Sequence, residues 1–493
     1  MAVTRDMVGS KASWRFLAAP ILLALIPALI LAGCSASNMT GDSPVALTRP
    51  VKEPETAAER EHARILAAYG GAYRDEKLKT DLEQTVDKLV AASERPDLKY
   101  QVTILNSPSV NAFALPSGNL YVTRGLIALA NDNSELASVL AHEMSHVIAR
   151  HAAIREDQAR QAALVNRVAT DLLSDPNLGA LALAKSKIAL ASFSRAQEFE
   201  ADGIGVGISA RAGFDPYGAQ RFLTSMGANS ALKQREANID PRSPDFLSSH
   251  PATPERVANA TTNARQYTGP GTGDRERDTY LAMVNGLVFG EDPSEGFVRG
   301  RRFLHPKLGF TVNAPDGFSL ENTAQAVFGV KDGGAQALRL DVVRVPSEQK
   351  LSNYLTSGWI ENIDERSIED ITINGFPAAT ATAQGDSWSF RLYVVRFGSE
   401  VYRFIFAAKT RTDQVDKQFR DSIHSFRRMS LSEMNSVKPM RIRVVTVGPN
   451  DTVEKLAHRM VLRDRQVERF RVLNGLGATD KVKPGDRVKV VVE

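Results

Sequence analysis

The stretch "LASVLAHEMSHVIARH", residues 136–151, is the part of the chain that says most about its fold and chemistry. It contains His142, Glu143 and His146 in the order H-E-x-x-H. Because positions four apart on an α-helix point about 40° from each other, the two histidines face one side and can bind a single metal ion. Glu143 is offset by about 100°, which suits a general base that takes a proton from water instead of binding the ion. The spacing therefore predicts two metal ligands and a base.

The residues around the motif indicate that it lies inside the fold. Apolar side chains flank it on both sides, at Leu136, Val139, Leu140, Val147 and Ile148. Buried histidines and a buried glutamate need polar partners, and neutral imidazole is a good zinc ligand. The alternative interpretation is a surface helix with a fortuitous histidine pair. His151, five positions after His146, is expected to point elsewhere and is not counted as a ligand.

A catalytic zinc site needs a third protein ligand and keeps one position open. The candidate segment is "SFSRAQEFEADGIG", residues 192–205. On a helix Glu198 and Asp202, four apart, share a face, and Glu200 is directed away from both. The alternative is that the two carboxylates belong to a solvated helix face.

These motifs resemble peptidase family M48, in the branch of HtpX-like and BepA-like periplasmic zinc metallopeptidases. The resemblance includes a strand sequence before the motif helix, Asn111, Ala112 and Phe113, and covers about residues 57–265. It implies one Zn²⁺ ion per chain and the following site residues: His142, His146 and Glu198 as ligands, Glu143 as general base, and Asp202 as the carboxylate that orients a ligand histidine.

The same resemblance implies hydrolysis of peptide bonds, with an extended substrate added to the edge of the strand around residues 111–115. A further segment, "FLSSHPATPERVANA" at residues 246–260, resembles the element that follows the active site in this branch. We expect His250 in this segment to be able to occupy the fourth zinc position and keep the enzyme latent. The alternative is that His250 packs beside Pro251 and ends a helix.

The first residues have the layout of a secretory signal, with basic residues, an apolar run over 16–31 and then "LAGC" at 31–34. This resembles the lipobox of bacterial lipoproteins, which implies a signal peptide over 1–33, lipidation of Cys34 and a tether over 34–53. Ser35 after the cysteine favours the outer membrane. The alternative is an uncleaved anchor helix, although about 20 apolar residues are needed to span a bilayer.

The composition is that of a globular multidomain protein. The chain has 493 residues, of which 43% are apolar and 24% charged, and its net charge of +4 gives no reason to expect nucleic-acid binding. Its single cysteine excludes an intrachain disulfide. We predict an α+β multidomain fold: a mainly helical zincin-type domain with a small edge sheet at 54–285, an α+β accessory domain with an antiparallel sheet at 286–435, and a small βααβ domain at 441–493.

Two segments leave alternatives open. Residues 158–192 are rich in alanine and leucine, which predicts either a buried helical hairpin or a mobile lid that contacts membrane. The tail resembles a peptidoglycan-binding LysM module through Leu473, Asn474, Gly475 and the Pro484-Gly485 turn, but has Asn450 where that family usually has glycine. The tail is therefore expected to bind peptidoglycan or, alternatively, to serve as a small domain in protein contact.

The leading hypothesis is a lipid-anchored periplasmic zinc metalloendopeptidase whose substrates are misfolded or misassembled envelope proteins. A second hypothesis is a chaperone or assembly factor for outer-membrane proteins in which hydrolysis is secondary. A third, a wall-anchored structural protein with a relict site, is disfavoured by the intact motif residues.

We predict that Cys34→Ser blocks processing of the precursor or releases the protein from membranes, because stable attachment needs the several acyl chains of a mature lipoprotein. Membrane fractionation and precursor size on gels measure this. A precursor whose size is unchanged by globomycin, an inhibitor of lipoprotein signal peptidase, would contradict the lipobox interpretation.

Overall fold

The computed structural model describes residues 56–157, 160, 193–235, 250, 251 and 253–493. The predicted signal peptide, Cys34 and the tether lie outside the described residues, as does nearly all of the segment predicted to form a hairpin or lid, 158–192. Within the described stretches, no helix is both long enough and apolar enough to cross a bilayer.

The region that contains the motif is built mainly from helices. These are α1 (Ala57–Ala68), α2 (Glu76–Ala91), α3 (Arg124–Leu129), α4 (Asn133–Ile148), α5 (Arg195–Arg211), α6 (Gly218–Gln234), α7 (Pro254–Arg265) and α8 (Arg277–Val284). A small sheet accompanies them, with strands β1 (Gln101–Leu105), β2 (Ala112–Ala114) and β3 (Asn119–Thr123). The strand order is β1-β3-β2, with β1 parallel and β2 antiparallel to β3, so β2 forms an edge.

The motif helix α4 is the centre of this region, and its residues from Ser134 to His146 are buried. It begins at Asn133, because the carboxylate of Asp132 accepts a hydrogen bond from the Glu135 amide and serves as the N-cap. Helix α5 crosses α4 closely at Gly205, where a β-carbon would lie 3.0 Å from the backbone nitrogen of His142. This contact brings the acidic residues of α5 next to the histidines of α4.

The predicted α+β accessory region contains two antiparallel sheets. The strands of this region are β5 (Phe297–Arg299), β6 (Arg302–His305), β7 (Phe310–Asn313), β8 (Phe318–Asn322), β9 (Val327–Lys331), β10 (Gln336–Val343), β11 (Ile363–Ile373), β12 (Phe376–Gln384), β13 (Ser389–Phe397), β14 (Glu400–Ala408) and β15 (Arg427–Arg428). The larger sheet has the strand order β11-β12-β13-β14-β10-β9-β8 and the smaller sheet the order β15-β7-β6-β5. The helices of this region are α9 (Leu351–Leu355), α10 (Asp413–His424) and α11 (Leu431–Ser436).

The tail has the predicted βααβ order. Its elements are β16 (Met440–Thr446), α12 (Val453–His458), α13 (Gln466–Leu473) and β17 (Arg487–Val492). Strand β16 pairs with β17 on one side and with β4 (Val288–Phe289) on the other. Buried tail residues such as Leu456, Phe470 and Val490 belong to the same apolar core as the residues of α4. The tail is therefore packed onto the region that contains α4.

A buried lysine of the tail forms part of this contact. The ammonium of Lys489 donates hydrogen bonds to the carbonyl oxygens of Ala128 and Ala130, both at 2.7 Å, and to that of Leu129 at 3.3 Å. These carbonyls lie at the C-terminal end of α3, where helical hydrogen bonding stops. Burial lowers the pKa of Lys489 to about 7 and raises the pKa of the nearby Glu135 to about 7. Lys489 of the tail thus supplies hydrogen bonds to the carbonyl groups at the end of α3, shortly before α4 begins.

We predict that Lys489→Met lowers the free energy of unfolding by about 3 kcal/mol, because buried carbonyl groups lose their hydrogen-bond donor. Denaturant unfolding of the soluble protein from Ser35 onward measures the change. The matched control is Lys481→Met, which alters an exposed lysine of the same tail and should leave stability unchanged. Equal stability of the two variants would contradict a structural role for the Lys489 contacts.

Candidate metal centre

The predicted ligands from α4 and α5 lie together in the structure. The Nε2 atoms of His142 and His146 are 3.1 Å apart. The carboxylate of Glu198 lies 3.6 Å from each of these nitrogens, through Oε2 to His142 and Oε1 to His146. All three side chains are buried. The close crossing of the two helices therefore gathers two imidazoles and one carboxylate from separate parts of the chain.

His250 completes this group. Its Nδ1 lies 2.9 Å from Oε1 of Glu198 and 3.3 Å from Nε2 of His142. One donor atom from each of the four side chains lies within 4.8 Å of all the others. Imidazole nitrogens and a carboxylate oxygen are the donors that zinc prefers, and four of them suit its tetrahedral coordination. The residues present thus fit a divalent metal ion.

Glu143 lies beside this group and faces a cleft. Among the described residues, its Oε1 is buried without a hydrogen-bond partner and lies 3.8 Å from Nε2 of His250. Burial raises the pKa of Glu143. The cleft has a volume of about 680 Å³, and Glu143 and His250 line it together with Phe113 and Leu115. The base predicted from the motif therefore adjoins both the donor group and the edge strand β2.

Of the three strand residues predicted to bind substrate, Asn111 and Phe113 line this cleft, and Ala112 between them is buried. Asn111 precedes β2 and donates a hydrogen bond from Nδ2 to the hydroxyl of Tyr69 at 2.9 Å. Ala112 and Phe113 begin β2, and the ring of Phe113 stacks on Tyr121 with centroids 4.9 Å apart. Within the described part of the chain, β2 pairs with β3 on one side only. Among the described residues, β2 is therefore an edge strand of its sheet.

Asp202 lies next to His142, as predicted, with Oδ1 at 3.0 Å from Nδ1. Burial lowers the pKa of His142, but the hydrogen bonds with Asp202 and Glu198 outweigh burial and raise it to about 9. Burial raises the pKa of Glu198, but the hydrogen bonds with His142 and His250 outweigh that effect and hold it well below its usual range.

Arg256 is a residue of the site that the sequence motifs did not single out. This buried arginine on α7 donates hydrogen bonds to both carboxylate oxygens of Asp202, from Nη2 at 2.7 Å and from Nε at 2.8 Å. Its Nη1 lies 2.6 Å from Oε2 of Glu198. Arg256 therefore joins Glu198 and Asp202 of α5. Its position six residues after His250, in the segment that resembles an element following the active site, was the sequence feature that could have identified it.

The expectation that His151 points elsewhere was wrong, although it lies outside the donor group. Its Nδ1 is 2.9 Å from Nδ1 of His146, and its Nε2 is 3.2 Å from Oε2 of Glu200. The expectation assumed a continuous helix. Instead α4 ends at Ile148, and Arg150 adopts a left-handed backbone conformation with φ 57°, which redirects the next residue toward the site.

Comparisons with known proteins give the following similarities. Residues 76–264 match the profile of Peptidase family M48. The chain is 34% identical over 209 residues to the Beta-barrel assembly-enhancing protease of Escherichia coli K12, covering 41% of each chain. It is 31% identical over 215 residues to the protein of that name from Yersinia pestis, covering 42% of this chain and 43% of that one.

A more distant similarity is to the Mitochondrial metalloendopeptidase OMA1 of Schizosaccharomyces pombe, with 28% identity over 202 residues, covering 41% of this chain and 58% of that protein. The chain thus spans about two fifths of the length of the bacterial relatives it matches. These similarities confirm the family resemblance predicted from the motifs.

Proposed function

We propose that this chain, whose residues 76–264 form a peptidase family M48 domain, is a zinc-dependent metalloendopeptidase of the bacterial envelope. The observation that carries the proposal is the buried convergence of His142, His146 and Glu198 beside Glu143. These groups adjoin a cleft bordered by an edge strand. A relict site in a structural protein would not need to retain all of these residues in reactive positions.

Each residue has a defined part in hydrolysis. A zinc ion held by His142, His146 and Glu198 would supply Lewis acidity, which polarises the scissile carbonyl and makes water a stronger nucleophile. Glu143 takes a proton from the attacking water and passes it to the leaving amine. Asp202 holds the ring of His142 through Nδ1, and Arg256 holds Asp202.

The substrate is an extended peptide segment that adds to the open edge of β2. Backbone hydrogen bonds of this kind bind many sequences, because they do not depend on the side chains of the peptide. The apolar wall of the cleft at Phe113 and Leu115 then favours apolar side chains near the cleaved bond. Unfolded or misassembled proteins expose such segments, and folded proteins bury them.

The envelope setting is supported by the relatives and by the N-terminal pattern. Two bacterial relatives carry the name Beta-barrel assembly-enhancing protease. We place this chain in the periplasm, attached through a lipidated Cys34 to the outer membrane, with misfolded or misassembled envelope proteins as substrates. The tail is proposed to bind peptidoglycan on the strength of its LysM-like motifs. Its packing against the core around α4 supports a structural role in addition.

We predict that Glu198→Gln lowers zinc affinity and abolishes hydrolysis, whereas Glu143→Gln keeps one zinc per chain and lowers kcat by about 10²- to 10⁴-fold. Metal analysis and cleavage of casein by the soluble protein from Ser35 onward, with and without chelator, measure both effects. Glu255→Gln, at an exposed position of α7, is the control. Stoichiometric zinc and full activity in Glu198→Gln would refute its assignment as a ligand.

The same Glu143→Gln variant separates the leading function from the alternative of a chaperone or assembly factor for outer-membrane proteins. If a deletion strain is rescued by the wild-type protein but not by Glu143→Gln, the cellular function requires hydrolysis. Rescue by both proteins at equal abundance would favour the chaperone function.

His250 is proposed to keep the enzyme latent by occupying the fourth metal position. Its contacts with Glu198 and His142 place it within the donor group, and its Nε2 approaches Glu143. A ligand in this place excludes the attacking water and covers the base. Release of His250 when a peptide enters the cleft would then start hydrolysis.

We predict that His250→Ala raises basal casein cleavage and self-cleavage and lowers zinc affinity modestly. Peptidase rates of variant and wild type at equal zinc occupancy measure this. A packing residue would instead give lower thermal stability without a gain in rate, so the absence of any increase would rule out latency through His250.

A further inference from the structure

The second histidine of the motif, His146, uses both of its ring nitrogens. Its Nε2 faces the donor group, 3.1 Å from Nε2 of His142 and 3.6 Å from Oε1 of Glu198. Its Nδ1 lies 2.9 Å from Nδ1 of His151, whose Nε2 lies 3.2 Å from Oε2 of Glu200. The side chain of His151 is 1% exposed and that of Glu200 is 58% exposed. A continuous line of polar contacts therefore runs from the donor group to the protein surface.

The chemistry of neutral imidazole determines where the hydrogens lie along this line. A hydrogen bond between two ring nitrogens needs one N–H group and one lone pair. Because a metal ligand needs its lone pair at Nε2, His146 carries its hydrogen at Nδ1 and donates it to Nδ1 of His151. His151 then carries its own hydrogen at Nε2 and donates it to the carboxylate of Glu200. Each ring has one consistent tautomer.

The local backbone is shaped to permit this contact. Helix α4 ends at Ile148, and Arg150, with φ 57°, turns the chain so that His151 returns toward His146. A left-handed conformation at a residue other than glycine costs about 1 kcal/mol and persists where the surroundings require it. The ring of Phe193 stacks on His146 with centroids 4.0 Å apart and an interplanar angle of 25°, which holds the plane of the ligand ring.

We propose, on the basis of the metal site proposed above, that His151 and Glu200 are positioning residues that fix the tautomer and direction of His146. Asp202 has the same positioning role for His142, but the chemical group that contacts the histidine is different. Asp202 is a buried carboxylate in direct contact with its histidine, whereas His146 contacts the imidazole ring of His151. The exposed charge of Glu200 is screened by water, so the effect depends mainly on the acceptor nitrogen of His151.

Two substitutions at position 151 test this. His151→Asn keeps an acceptor oxygen near the place of Nδ1, and His151→Leu removes the acceptor at similar volume. We expect the zinc dissociation constant to rise about 10- to 100-fold in His151→Leu and to stay within about threefold of wild type in His151→Asn. Competition with a chromophoric chelator at one fixed pH measures it. With saturating zinc, kcat should fall in His151→Leu while KM stays near the wild-type value.

A second readout needs no metal. Nitrogen-15 NMR of the metal-free protein reports which ring nitrogen of His146 carries hydrogen. Wild type and His151→Asn should show hydrogen at Nδ1, and His151→Leu should show a mixture of tautomers. Ile154→Ala, an exposed position in the same helical stretch 151–157, is the control for general disturbance.

Unchanged zinc affinity and an unchanged His146 tautomer in His151→Leu would overturn the assignment. Equal losses in His151→Asn and His151→Leu would also overturn it, because they would show that only packing at this position matters. A wild-type protein that binds no zinc would instead refute the proposed function, and the tautomer measurement on metal-free protein would still decide the role of His151.

Discussion

The close crossing of α4 and α5 is the constraint on which the candidate metal centre depends. Gly205 lies against the backbone at His142, and a β-carbon there would force the helices apart. With the axes this close, Glu198 and Asp202 from one helix reach the histidines of the other. A wider crossing would move Glu198 and Asp202 away from the two histidines. The positions of these side chains are therefore set by the backbone packing of the two helices.

Charge provides a second reason to expect a divalent ion. If the histidines are neutral, as metal coordination requires, then ionised Glu143, Glu198 and Asp202 bring three negative charges into a buried space, where Arg256 supplies one positive charge. Buried charges without compensation are strongly unfavourable. An ion of charge +2 balances the remainder, so the arginine and the metal divide the neutralisation between them. This division explains why Arg256 is directed at the acidic residues and away from the cleft.

The parts of the site that could be predicted from sequence are those that depend on regular helix geometry. His142, His146 and Glu198 follow from spacing and family resemblance, and they lie together in the structure. The contact of His151 could not be predicted, because it depends on one left-handed residue, Arg150, that interrupts the helix. Arg256 was missed because its partners lie on a different helix. The βααβ order of the tail was predicted, but its shared core with α4 was not. Lys489 lies at this contact, and a lysine within a strand usually indicates solvent exposure.

The hydrogen bonds of Lys489 have a consequence for the timing of folding. The lysine and the carbonyl group of Ala130 are separated by 359 positions in the chain, yet they meet next to the start of the motif helix. During synthesis the segment around α4 must wait for this late-arriving strand before its core is closed. A chain interrupted before β17 would leave that core open, so the helix that carries His142 and His146 would be fully packed only after the tail has docked.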